Sequence, residues 1–545
     1  MRASLLLLLG LGLGCASSTE KVEEGADGAG EADGATGGAD AADGAADAGG
    51  EGQEEGADGA DGADGAAVDA DGDGSPAPAD CDDDDPLRSP ELVELPDDGI
   101  DNDCNPATCP GLGFADRPVD YALPEGYPAL SFIVQQREAR CADGLRAHSL
   151  RELDGDGWLD LVVTASPCGG EEPGLAAWWL HRGGPDGFSA VASPWALPSA
   201  FPAGSLSAPT GVADCGLGRP RYGLLDVNGD GADDLVAFSA ACGEGEPGLS
   251  SWLVAPSDGA AGFGAAADWA LPADAPAGGL RAPSAPADCG AGQPAYALVA
   301  ARRGAAPGLM FTGAACGDGA PGEGSWTFSA PGAAGFAAGV EWALPAGRWD
   351  GLTGLPDCGA GRRGWATLDL TGDGLLDLVE TEGCDGGGWT LFVGDGAGFS
   401  TEGRPLSLPS ALAGLLPSPG VAADCALGRP AVSLLSLRPG AAPALVITAS
   451  ACGDDALGTS LWRAHLPVEG GWAEEAGELN LPPGFSAGSF AAVGGERGCA
   501  AERPGWLLAE LTGDGQLDVV ITALPCLEDG VGADRWQIYP GSCAP

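Results

Sequence analysis

The stretch RELDGDGWLDLVVT, Arg151 to Thr164, joins a nine-residue acidic loop to an apolar run that reads as a buried strand. Oxygen-bearing side chains fall at loop positions 1, 3, 5 and 9, as Glu152, Asp154, Asp156 and Asp160, and the Trp158 carbonyl stands at position 7. A hard cation such as Ca²⁺ takes about six to eight oxygens at short range. Gly155 and Gly157 let the backbone curl tightly enough to supply them.

Five later segments fall into register with this one, and in every repeat position 1 lies eleven residues after a cysteine. Repeat 2 has Asp226, Asn228, Asp230, the Ala232 carbonyl and Asp234; repeat 4 has Asp369, Thr371, Asp373, the Leu375 carbonyl and Asp377. Repeat 6 has Glu510, Thr512, Asp514, the Gln516 carbonyl and Asp518. With repeat 1 these make about four Ca²⁺ loops, the alternative being Asp-Gly turns that hold no ion. Repeats 3 and 5 carry no carboxylate, running Ala300, Arg302, Gly304, Gly308 and Ser436, Arg438, Gly440, Ala444.

Cysteines recur with the same period. Pairs stand at Cys141 and Cys168, Cys215 and Cys242, Cys289 and Cys316, Cys358 and Cys384, Cys425 and Cys452, Cys499 and Cys526. They flank the hairpin that carries the loop, at the end away from the ion, where antiparallel neighbours come within disulfide reach. A Trp lies ten residues after the second cysteine in five repeats (Trp178, Trp252, Trp326, Trp462, Trp536), and Trp389 five after in the fourth. Then come a Gly-Phe step, such as Gly187-Phe188, and an apolar tetrad ending in Pro, such as Trp195 to Pro198.

Units of about four strands that cannot close a core alone predict an all-β fold, a β-propeller of six four-stranded blades, with seven left open as the ring size. Gly113-Phe114 and Tyr121 to Pro124 copy the spacing of the Gly-Phe step and tetrad, whereas the last repeat stops at Tyr539 before its own. The first strand is therefore expected to complete the last blade, with a Cys109 to Cys543 disulfide locking the ring. Residues 110–545 form the propeller on this reading.

The loops and Gly-Phe steps resemble the FG-GAP or VCBS repeats of integrin α-subunit-like propellers over most of Gly113 to Pro545. The resemblance implies that each loop joins the first two strands of a blade and that its cation is structural. In repeats 3 and 5 we expect Arg302 and Arg438 to put a cationic head where the ion would be.

Residues 1–15 look like a bacterial lipoprotein signal with Cys15 lipidated, an ordinary signal peptide being the alternative. Residues 16–79 are Gly, Ala, Asp and Glu with almost no large apolar side chains, the composition of a disordered linker. Residues 80–109 resemble an acidic metal-binding motif of secreted bacterial proteins. The resemblance puts a further cation on Asp80, Asp82 and Asp84, with Asp101 and Asp103 brought alongside by a Cys81 to Cys104 disulfide; an acidic, stapled linker is the alternative. Counted this way, each of the 17 cysteines has a role.

The 545 residues carry a formal charge of -56, which argues against nucleic acid as a partner. The cysteines imply an oxidising compartment, and the only membrane contact expected is through the lipid, at the outer membrane or cell surface. Acidic turns follow the second cysteines, at Glu171-Glu172, Glu244 and Glu246, Asp318, Asp385, Asp454-Asp455 and Glu528-Asp529. They read either as a ring of carboxylates on one face or as a solvated surface. Arg348, Trp349 and Asp350, with no counterpart in the sibling repeats, suggest a ligand contact through an exposed Trp. His148, His181 and His465 show no ligand or triad spacing. The reading is a lipid-anchored, Ca²⁺-stabilised binding or adhesion propeller with an extracellular protein or glycan ligand. A carbohydrate-active enzyme on the same scaffold and a structural envelope lipoprotein are the alternatives.

Overall fold

The computed structural model describes residues 112–542 except 129–130, 244, 277, 317–320, 358–362, 382–387, 438–440, 454–455, 514–515 and 527–529, together with Ser75, Ser89 and Pro90. The expectations for Cys15, the 16–79 linker, the 80–109 motif and the Cys81–Cys104, Cys109–Cys543 and Cys358–Cys384 pairs lie outside the described residues. So do Asp514 and Arg438.

Six antiparallel blades follow one another around a closed ring, which settles the ring size at six. In the first blade the strands Ala147–Arg151, Asp160–Ala165, Ala177–His181 and Ser193–Ala196 pair in chain order. Most blades have one strand more than expected. A two-residue strand such as Gln136–Arg137 pairs with the first strand, supplied by the long loop before the cysteine. The second strands Asp160–Ala165, Asp234–Ser239, Gly308–Gly313 and Asp518–Ala523 are buried at every residue. Each is packed on both faces by neighbouring blades, so its sequence is a continuous apolar run instead of an alternating one.

Closure is as the spacing predicted. Val119–Ala122 pairs antiparallel with Arg535–Tyr539, from Val119 opposite Ile538 to Ala122 opposite Arg535. The Gly-Phe steps have a different role from the strand that their spacing suggested. Each reaches back to the fourth strand of the preceding blade in a short parallel bridge: Gly187 to Ala122, Gly262 to Ala196, Gly335 to Ala270, Gly398 to Ala343, Gly471 to Ser407. Gly113 makes the sixth, opposite Asn480. Glycine is required because the backbones touch: a Cβ on Gly187 would lie 2.4 Å from the Ala122 nitrogen, and one on Gly471 2.3 Å from the Ser407 oxygen.

The aromatic residue after that glycine enters the core of the blade it bridges to. Phe263 stands edge-on to Trp178 and Trp195, Phe336 to Trp252 and Trp269, Phe399 to Trp326 and Trp342. Trp472 takes the same position against Trp389 and Phe114 against Trp462. The six tryptophans that follow the second cysteines are all buried, and each satisfies its indole N–H on a backbone carbonyl. Trp178 donates to Leu206 at 2.7 Å, Trp252 to Leu280 at 2.6 Å, Trp326 to Trp349 at 2.7 Å, and Trp389 to Leu416 at 2.9 Å. Trp462 donates to Phe490 at 2.7 Å and Trp536 to Phe132 at 2.8 Å. A buried Trp without such a partner would be costly, so this bond fixes how each long loop returns over its blade.

Five disulfides bridge the expected pairs, Cys141–Cys168, Cys215–Cys242, Cys289–Cys316, Cys425–Cys452 and Cys499–Cys526, each with a separation of 27 residues. They point to an oxidising environment. No helix among the described residues is long and apolar enough to cross a membrane.

Candidate metal centre

Each acidic loop connects the first and second strands of its blade, at the end of the hairpin opposite the disulfide. Position 9 opens the second strand, and there Asp160, Asp234, Asp377 and Asp518 are fully buried. One carboxylate oxygen of each accepts the amide of the second loop residue: Leu153 at 3.2 Å, Val227 at 3.2 Å, Leu370 at 3.0 Å, Leu511 at 2.8 Å. The other accepts an amide beyond the third strand: Gly183 at 3.0 Å, Ser257 at 3.0 Å, Gly394 at 2.8 Å, Gly541 at 3.1 Å. The position-9 carboxylate thus ties three segments of a blade together. Gly308 and Ala444 lack it in repeats 3 and 5.

Position 1 curls the loop. Glu152 accepts the Gly155 and Gly157 amides at 2.7 and 2.9 Å, Asp226 those of Gly229 and Gly231 at 2.6 and 3.0 Å, Asp369 those of Gly372 and Gly374 at 2.8 and 3.0 Å. Glu510 accepts from Gly513. At position 5, Asp156, Asp230 and Asp373 accept the position-7 amides of Trp158, Ala232 and Leu375 at 2.8, 2.9 and 2.8 Å. At position 3, Asp154 and Asn228 accept the amides of Asp156 and Asp230 at 3.3 and 2.8 Å. Thr512 lies beside Asp518, to which its amide donates at 3.2 Å. Among the described residues, only the first loop brings three of the sequence-predicted carboxylates, Glu152, Asp154 and Asp156, to within reach of one ion.

Crowded carboxylates make these loops electrostatically incomplete. Glu152, Asp154 and Asp156 offer oxygens within 4.8 Å of one another. Burial pushes Asp160 up to about 8, with the Asp154 charge adding to it, and Glu152 up to about 7, with Asp156 and Asp154 adding. Asp234 rises to about 7 through burial and the charges of Asp230 and Asp226, and burial raises Asp377. An oxygen-rich, acidic, sharply curled donor set that resists its own ionisation fits a hard divalent cation. Arginine supplies part of that charge: Arg182 sits on Asp154 at 2.7 Å, and Arg303 pairs with Asp369.

Arg303 corrects the expectation for repeat 3. Arg302 is exposed, whereas Arg303 reaches from the degenerate loop to position 1 of the next blade's loop. Neighbouring residues of an extended segment point to opposite sides, so a shift of one exchanges an in-blade partner for a cross-blade one. Loops of adjacent blades touch at several seams. Arg303 N–H donates to Gly374 at 2.7 Å and Asp233 N–H to Glu152 at 2.7 Å, and a Cβ on Gly513 would strike the ring of Trp158.

Two further expectations change. Trp349 is 4% exposed, packed edge-on to Trp365 and Phe392, and its carbonyl receives the Trp326 indole, the place that Leu206 and Leu280 hold elsewhere. Its ring is buried in the core instead of exposed as the sequence suggested; Arg348 and Asp350 pair with each other beside it. Of the acidic turns, Glu172 accepts the amides of Leu175, Ala176 and Ala177, and Glu246 those of Leu249, Ser250 and Ser251. These carboxylates close their own turns. Glu244, Asp318, Asp385, Asp454-Asp455 and Glu528-Asp529 lie outside the described residues.

The raised carboxylates set a sign for pH dependence. Their folded values stand above the ordinary range near 4, so between about pH 4 and pH 8 the metal-free fold holds protons that the unfolded chain has released. Stability without metal is full below that window and falls as pH rises through it. Melting in chelator is expected at a lower temperature at pH 8 than at pH 5, with Ca²⁺ removing most of the difference; equal melting in chelator would contradict this.

No family model and no curated protein matches this chain. Among solved structures, a Photorhabdus luminescens Tc holotoxin pore aligns at 18% identity and TM-score 0.40, covering 78% of this chain and 15% of that one. An Agrocybe aegerita lectin that recognises non-reducing terminal N-acetylglucosamine aligns at 15% and 0.35, covering 80% and 93%. A Penicillium chrysogenum α-L-arabinanase complexed with arabinobiose aligns at 12% and 0.27, covering 78% and 98%. At these identities and scores no functional conclusion passes from those proteins to this chain.

Proposed function

We propose that this chain is a Ca²⁺-stabilised, non-catalytic binding propeller of the FG-GAP/VCBS repeat type, held at the cell surface by a lipid on Cys15 and presenting its ring to an extracellular protein or glycan. The observation that carries the reading is the Glu152, Asp154 and Asp156 cluster in the loop that ends at the buried Asp160, with a buried aspartate at the same loop position at Asp234 and Asp377. Ions at one end of the four carboxylate-bearing hairpins and disulfides at the other would stiffen those blades from both sides, as suits a scaffold displaying ligand-binding loops.

Two of the three histidines are held by the frame. His148 is buried and lowered to about 4 by that burial, with Nε2 against the Val134 carbonyl; His465 is buried with Nδ1 on Ala473. Both are committed to the frame.

Elemental analysis of the full chain after dialysis against Ca²⁺ tests the reading. About four ions per chain are expected, one for each carboxylate-bearing loop. Fewer than one would remove its basis.

A further inference from the structure

A second site lies away from the acidic loops, on the seam where the closing segment of the last blade meets the first. It is an open cleft of about 580 Å³ lined by Glu125, Tyr127, Arg146, Trp179, His181 and Val191. We infer that this cleft binds a hexuronate, a polyhydroxylated ring bearing one carboxylate, through the guanidinium of Arg146. The inference deepens the glycan-binding reading above and depends on no ion.

Arg146 is the cation at issue. Its guanidinium stacks 4.5 Å from the centre of the Trp179 ring and 6.0 Å from that of Tyr127. Nη1 is covered and has no hydrogen-bond partner, and among the described residues no carboxylate is seen paired with the group. The frame does not call for an arginine here, since four sibling repeats have proline five residues after the first cysteine, at Pro220, Pro294, Pro430 and Pro504. The fourth repeat has Arg363, which pairs with Glu380 at 3.2 Å, and the first repeat has Val163 where Glu380 would be. Arg146 therefore keeps the cation of that pair without its anion. A guanidinium stacked on an aromatic wall of the cleft suits a carboxylate.

The remaining walls suit a sugar. His181 Nδ1–H donates to the Ser189 carbonyl at 2.7 Å, and burial holds the ring neutral, so Nε2 accepts the Tyr127 hydroxyl at 2.8 Å. That leaves the Tyr127 oxygen free to accept from a ligand hydroxyl, with the Glu125 carboxylate a second acceptor. Val191, 82% exposed, offers apolar contact to a ring face. A polyanion is disfavoured by the net charge of -56.

The test is calorimetric titration of the full chain in Ca²⁺ buffer with D-glucuronate, its methyl glycoside, D-glucose and acetate. Both uronates are expected to bind, with glucose and acetate weaker by roughly tenfold or more, and Arg146→Gln to weaken uronate binding by a similar factor. Binding of the glycoside assigns the site to glycan ends; binding of the free acid alone assigns it to a soluble sugar acid. Val191→Trp, at an exposed position, should block the cleft without touching the core and serves where Arg146→Gln does not fold. No uronate binding, acetate binding as tight as glucuronate, or unchanged affinity in both variants overturns the inference. A count of four ions with no uronate bound would sink the cleft and leave the propeller reading standing, while uronate binding without bound ions would do the reverse.

Discussion

Replacing Trp536 with alanine is expected to cost about 3 to 5 kcal/mol, among the largest losses available to a single side chain here. Trp536 is fully buried where the ring closes, stacked on Tyr121 at 6.4 Å between centroids and edge-on to Phe188 at 5.5 Å. Those partners belong to the closing strand and to the Gly-Phe step of the first blade. Its indole N–H also satisfies the Phe132 carbonyl, so truncation opens a cavity and orphans a buried acceptor together. Trp536→Phe should cost clearly less, because it keeps the aromatic contacts and loses only the donor and part of the volume. Thermal and urea unfolding would read both. An alanine variant that melts with the wild type would show that the closing strand is not what holds the ring.

Reduction of the disulfides is the second large effect. Each of the five bridges joins turns flanking the hairpin, with Cα atoms 4.4 to 5.0 Å apart, at the end of the hairpin where no acidic loop constrains the chain. A loop of this length is worth roughly 3 kcal/mol per bridge through the unfolded state, so losing all of them exceeds the stability of an ordinary domain. The reduced chain is expected to unfold at moderate temperature and to recover only on reoxidation. Removing one bridge, with Cys215→Ser and Cys242→Ser together, should cost about 2 to 4 kcal/mol. Reduced and oxidised protein melting alike would mean that the blades are held by packing alone.

Much of this was legible because it repeats. Cysteine spacing, the loop pattern and the orphaned Gly113 to Pro124 segment were enough to read the propeller, its closing strand and where the acidic loops fall in each blade, since each depends on local geometry at a fixed period. What escaped depends on contacts between repeats. The Gly-Phe step reads as strand, and only the ring shows it crossing to the preceding blade, as Gly187 does to Ala122. Trp349 looked exceptional because its loop is short: it lies 23 residues after the Trp whose indole it receives, where Leu206 lies 28 after Trp178. The change in length concealed that it fills a core position common to the siblings. Arg303 was missed for Arg302 because the pattern marks a loop position and says nothing of which side chain crosses the seam. The Arg146 cleft joins residues of two blades. Its one trace in the sequence was an arginine where most repeats have proline.

Thermal unfolding of the full chain, disulfides intact, at pH 7.5 in millimolar Ca²⁺ and then in chelator, tests the metal loops most directly. A large fall in the melting temperature on chelation, restored by added Ca²⁺ and attenuated when Asp160 and Asp234 are both replaced by asparagine, is the predicted result. Identical melting in both buffers would contradict the account and leave the acidic loops as turns that shape the blades without a cation.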